Sequence, residues 1–111
     1  MLALAVLGLA GCANDPAPNE QLRLSEQALE QAKAVGANEQ VPEFKLAEDK
    51  LARAKSNMLG ESHRDARMRA EQAELDARLA EARVLNQKSE EQLQAMQSRI
   101  KRLRKQLEVQ P

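Results

Sequence analysis

Aromatic side chains are almost missing from this chain: there is no Trp or Tyr, and Phe44 is the single Phe among 111 residues. Stacking platforms for bases or sugars, and pockets walled by rings, are thereby excluded. A lone cysteine, Cys12, leaves no internal disulfide and no cysteine-based zinc site. Neither sign of charge is in excess, since 17 Lys and Arg balance 17 Asp and Glu. No global basic field exists to recruit nucleic acid, and none of its recognition motifs is present. Glycine-rich phosphate loops and a Ser, His, Asp order for nucleophilic catalysis are also lacking. The expectation is a chain that is not an enzyme, holds no cofactor and takes no small-molecule substrate.

What fills the chain points to one fold class. Ala occurs 19 times and Gln 11 times, with Leu, Glu, Lys and Arg supplying much of the rest. All favour helix. Thr is absent, and beyond Cys12 the β-branched residues are only Val35, Val41, Val84, Ile100 and Val109, too few for a pleated sheet. An all-α chain follows, and its core is thin because Ala buries little apolar area.

The first eleven residues read as an address. Met1 to Ala10 is an uncharged apolar run, too short for the ~20 residues that span a bilayer but suited to the core of a secretory signal. It ends in Leu9, Ala10, Gly11 and Cys12, which resembles a bacterial lipobox: an apolar residue, two small ones that thread a narrow protease, and a cysteine whose thiol carries the lipid. Residues 1–11 are thus expected as a signal peptide and Cys12 as a lipidated N-terminus bound to a membrane. Several acyl chains make a stable anchor, each buried CH₂ contributing ~0.8 kcal/mol. Ala13 follows where an Asp would resemble an inner-membrane retention signal, so the pattern is similar to that of an outer-membrane lipoprotein facing the periplasm of a Gram-negative bacterium. Residues 12–19, with Pro16 and Pro18, are expected as a flexible tether, and Asn19 as the cap of the first helix.

Residues 20–110 form the expected helical domain, with helices about 20–35, 42–59 and 62–109. Leu22, Ser25, Leu29 and Ala32 share one face of the first helix. Phe44, Ala47, Leu51, Ala54 and Met58 do so on the second, which Pro42 opens. Gly36 and Gly60 fall just past the ends of these patterns, where a helix takes a glycine at C′. Ser62 is placed to cap the third helix. No Gly or Pro interrupts residues 61–110, so that helix is free to run ~70 Å while the other two reach ~27 Å each. The fold class is a short helical hairpin or three-helix bundle with one long C-terminal helix of coiled-coil character.

The long helix carries two seams in its first half. One is Ala66, Ala70, Ala73, Ala77, Ala80 and Val84; the other is Met68, Leu75, Leu79 and Ala82, an arrangement that suits contact with two neighbours. Met58, Met68 and Met96 read as packing residues. The second half has one seam, Leu93, Met96, Ile100, Leu103 and Leu107, barely two heptads long. It is the candidate surface for a partner in trans, another copy or an envelope protein; a frayed or folded-back tail is the other reading. Arg99, Lys101, Arg102, Arg104 and Lys105 form a basic run with no acidic residue. It is a candidate contact for an anionic surface, although a solvated face suited to the negative end of the helix dipole is the preferred reading. His63, the one histidine, reads as a solvated helix-start residue, since no second His completes a metal set.

The lipobox, the Ala-rich first helix, Gly36-Ala37 with Pro42 following, Ala47, Leu51 and Ala54, and then Ala66, Ala70, Ala73, Asp76 and Ala77 on a long helix together resemble the domain of unknown function 4398, found in small proteobacterial envelope lipoproteins. The likeness is strongest over residues 20–85. It implies a place in the envelope and an all-helical architecture, and it brings no catalytic residues. Two functional expectations follow: a non-catalytic outer-membrane lipoprotein serving as a structural or interaction module, and an adaptor or regulator of a peptidoglycan enzyme or envelope complex.

Overall fold

The protein's computed structural model describes residues 15–109; the apolar run and Cys12 lie outside the described residues. Three helices follow in order, α1 (Asn19–Ala34), α2 (Pro42–Leu59) and α3 (His63–Val109), with no strand among the described residues. The expected boundaries are met to within a residue.

Local chemistry accounts for most of the punctuation. α1 ends in a Schellman motif: the Gly36 N–H donates to the Lys33 carbonyl at 2.9 Å and the Ala37 N–H to the Ala32 carbonyl at 2.9 Å. The motif needs a left-handed residue at C′, and Gly36 supplies it with φ 106°. Pro42 occupies the first turn of α2, where no intrahelical donor is needed. α2 closes with the same pair of bonds, from Glu61 to Met58 at 3.1 Å and from Ser62 to Asn57 at 2.9 Å. Here the glycine expectation is off by one. Gly60 has φ −85° and the left-handed residue is Glu61, φ 59°, a position that costs a non-glycine about 1–2 kcal/mol. Ser62 immediately precedes α3 and its carbonyl accepts from the Ala66 N–H at 2.9 Å.

The N-terminal expectation also needs correction. Asn19 is already helical; Pro18 holds the cap position and no side chain caps α1. Residues 15–18 are not helical, yet they are held against the start of α3. His63 Nδ1 lies 2.8 Å from the Asp15 carbonyl, an Arg67 Nη2 lies 3.4 Å from the Pro16 carbonyl, and Pro18 is buried. His63 is therefore half-buried and structural rather than solvated. Because a carbonyl only accepts, Nδ1 must carry the proton of this bond.

The core is where α1 and α2 meet α3. α1 contributes Ser25, Ala28, Leu29 and Ala32, and α2 contributes Phe44, Ala47, Leu51 and Ala54. Facing them on α3 are Ala66, Ala70, Ala73, Ala77 and Ala80, each 0% exposed. A row of methyl groups lets both short helices approach closely, and Phe44, 2% exposed, is the one ring that fills the space between. Ser25 is a buried polar residue on this face, and its hydroxyl lies 2.8 Å from the Gln21 carbonyl and 2.6 Å from the Ala70 carbonyl. Its single proton is shared across the α1–α3 contact, so the hydroxyl is not stranded. Charged pairs rim the core: Lys50 with Asp76 at 2.5 Å, Arg83 with Glu43 at 2.5 Å, and Lys55 with Glu26 at 2.6 Å. Partly exposed pairs of this kind contribute up to about 1 kcal/mol each.

Candidate interaction surface

α3 outruns its partners. The last tie to the bundle is Lys88, whose ammonium donates to the Val35 carbonyl at the end of α1. Every residue from Ser89 to Glu108 is exposed. About twenty residues, ~30 Å of helix, project beyond the three-helix unit. The sequence expectation that the helix changes character near residue 86 is met, and the tail continues as helix to Val109 without folding back.

On that projection lie all five residues of the candidate seam. Leu93, Met96, Ile100, Leu103 and Leu107 are between 48% and 73% exposed. The five basic candidates, Arg99, Lys101, Arg102, Arg104 and Lys105, are exposed alongside them, and none is engaged in an ion pair among the described residues.

One expectation fails in an informative way. The seam of Met68, Leu75, Leu79 and Ala82 does not meet a second neighbour. It is exposed along its length, with Leu75 at 66%, because α1 and α2 both pack on the Ala row. At 100° per residue that row points directly away from Leu75 and Leu79. Met68 and Met96 are accordingly surface residues, and only Met58 is half-buried as a packing residue. The two seams also share a register. Starting at Met68, steps of four and three pass through Gln72, Leu75, Leu79, Ala82, Asn86 and Ser89 and arrive at Leu93, from which the same steps reach Leu107. What reads in sequence as two short features is one stripe along the outer face of α3, apolar but for Gln72, Asn86 and Ser89.

Electrostatics beside the stripe are uneven. Residues 71–76 carry Glu71, Glu74 and Asp76 and no basic residue. The Gln21 amide, donating to Glu74 at 2.6 Å, and the Arg78 guanidinium at 2.6 Å hold the Glu74 carboxyl below the usual carboxylate range. The Glu74–Arg78 pair, expected from its i,i+4 spacing, is thus formed.

No group of acidic, His or Cys side chains among the described residues has the arrangement of a metal site. The outer groove between α1 and α2 has the apolar floor Leu29 and Leu51 under the charged side chains of Glu26, Glu30, Lys33, Glu48 and Lys55. No described helix is long and apolar enough to cross a membrane.

A short three-helix unit continued by a single projecting helix with an open apolar stripe defines an all-helical stalk protein. Residues 20–96 match the family described as Domain of unknown function (DUF4398), and the chain belongs to that family. The crystal structure of a DUF4398 family protein from Pseudomonas aeruginosa is 64% identical in sequence and superposes with a TM-score of 0.81, over 83% of this chain and 96% of that one. No curated protein matches.

Proposed function

We propose that the protein is a non-catalytic lipoprotein, anchored by acyl groups on Cys12 to the periplasmic face of the outer membrane, that serves as a helical interaction module. The observation that carries the reading is the projecting half of α3. A helix that leaves its own bundle with Leu93, Met96, Ile100, Leu103 and Leu107 uncovered gains from a partner the burial it lacks in the free chain. The lipobox ending at Cys12 supports the anchor. The alternative, an adaptor or regulator of a cell-wall enzyme, uses the same helix but relies on its basic residues.

Two experiments test this. Mass spectrometry of the mature N-terminus is expected to find acylated Cys12; a free thiol there, or full-length protein in the cytosol, overturns the anchor. Crosslinking in intact cells is expected to fail after Leu93→Asp and Leu103→Asp and to survive charge reversal at Arg99, Arg102 and Arg104. The opposite pattern favours the regulator reading.

A further inference from the structure

We propose that the α2–α3 turn is a lipid-contact surface: Leu59 enters the headgroup layer of the leaflet that holds Cys12, and His63 pins the anchoring segment so that α3 leads away from the membrane. This deepens the anchor reading, on which it rests, by naming the end of the bundle that meets the lipid.

Chain length puts the turn at the membrane. His63 Nδ1 donates to the Asp15 carbonyl at 2.8 Å, Arg67 Nη2 lies 3.4 Å from the Pro16 carbonyl, and Pro18 is buried. The lead-in to α1 is therefore fastened to the start of α3. Cys12 stands three residues before Asp15, and three residues span at most about 11 Å whatever path they take. The headgroup layer is itself about 5–8 Å deep. Acyl chains on Cys12 thus hold the start of α3, and the turn that leads into it, at or just above that layer.

Leu59 is the side chain that suits this place. The packing face of α2 runs through Phe44, Ala47, Leu51 and Ala54 and ends at half-buried Met58. Leu59, the next residue, is off that face and 89% exposed, more open than any other large apolar side chain among the described residues. A single exposed leucine is ordinary on a protein surface, but this one is four residues from the ring that fastens the anchor. Gly60 and Ser62 beside it are small and exposed, so the backbone of the turn is open to close approach. Exposed Arg64 is offset by exposed Glu61 and Asp65, so the contact depends on the inserted leucine rather than on anionic lipid. A short tether supplies an effective concentration of about millimolar, at which one such side chain holds the orientation.

The orientation follows from the length of α3. From His63 to Val109 the helix rises about 70 Å. With the turn seated on headgroups, the helix stands off the membrane and its distal half stays in water, clear of the acyl chains.

The test uses the chain from Cys12 onward, since every packing contact described above is made within it. Cys12, the one thiol, is coupled to a maleimide-bearing phospholipid in phosphatidylcholine vesicles that also contain a headgroup-nitroxide lipid. The chain has no Trp or Tyr, so an introduced tryptophan reports alone. Fluorescence of Ser62→Trp is expected to be quenched by the nitroxide, in low salt and at about 0.15 M alike. Leu103→Trp, about 60 Å further along α3, is expected to be unquenched. Adding Leu59→Asp, or His63→Ala to release the pinned segment, is expected to lower quenching of Ser62→Trp at least about twofold. Leu59→Asp should leave amide exchange in α1 and α2 unchanged, because Leu59 packs on neither. Absence of quenching at Ser62→Trp, equal quenching at both positions, or quenching indifferent to either added variant overturns the proposal. Because the lipid is attached chemically, the outcome does not depend on acylation in cells: an unmodified Cys12 there overturns the anchor reading, whereas an unquenched Ser62→Trp overturns the lipid contact alone.

Discussion

Leucine placed at Ala77 and leucine placed at Ala82 make the same chemical change on one helix, five residues apart, yet the structure expects opposite results. Ala77 is 0% exposed and belongs to the row on which α1 and α2 close. A larger side chain there has nowhere to go without parting the helices. Overpacking of this kind costs typically about 1–3 kcal/mol. For a domain of this size each kcal/mol lowers Tm by roughly 4–8 °C, so the expected fall is about 8–16 °C for a cost near 2 kcal/mol. Ala82 points to solvent, and Leu is nearly as good a helix former as Ala. Its change should stay within about 0.5 kcal/mol in dilute protein. Far-UV circular dichroism during urea unfolding gives the midpoints. Amide exchange at Leu29 and Ala47 then ascribes the transition to the bundle rather than to the projecting tail. Equal midpoints for the two variants would show that the Ala row is not a close-packed contact, and the account of the core would fail with it.

Replacing Phe44 by Ala removes the one ring of the core and is expected to cost about 3–5 kcal/mol, which urea titration checks; a loss below 1 kcal/mol contradicts its burial. Glu61→Gly relieves a left-handed φ and should stabilise by about 0.5–1 kcal/mol, whereas Gly36→Ala should destabilise by about 1 kcal/mol. The added methyl at residue 36 meets Lys88 Nζ at 3.6 Å, an ordinary contact, so that loss measures backbone strain alone. Ser25→Ala should cost about 1 kcal/mol, the worth of its bond to the Ala70 carbonyl, with exchange quickened where α1 meets α3. Glu74 titrates below its unfolded value, so its contribution is complete above the ordinary glutamate pKa of ~4.3 and is lost as pH falls through the lower folded value. Urea midpoints taken downward from pH ~5 should therefore decline more gently in Glu74→Gln than in the wild type.

The helices were legible because their signals are local. Pro42 and Gly36 punctuate the chain at their own positions, and the 3-4 spacing of Leu22, Ser25, Leu29 and Ala32 names the buried side of α1. Gly60 misleads by one residue because the Schellman bonds, not the glycine, decide which residue turns left-handed, and Glu61 accepts the strain. Asn19 was a reasonable cap by type, but Pro18 is buried and takes that place. Contacts between distant residues left no trace in the sequence: the hold of His63 on Asp15 joins positions 48 apart, and no spacing rule reaches that far. The stripe of α3 was visible only in pieces. Its upper part reads as a second packing seam until the structure shows both short helices gathered on the Ala row, after which the pieces join.

Lys88 marks a boundary of cooperativity. Before it, α3 is fixed by tertiary packing; after it, about twenty residues depend on helix propagation alone, without the packing that supplies most helical stability in proteins. The bundle removes the nucleation penalty, since the first turns are already wound, so the tail inherits its conformation and loosens progressively with distance from residue 88. Whatever clasps the distal turns must freeze them as it binds. The strength of that grip is then set partly at Lys88 and Val35, far from the point of contact, and weakening that lone amine-to-carbonyl clamp would slacken a partner it never touches.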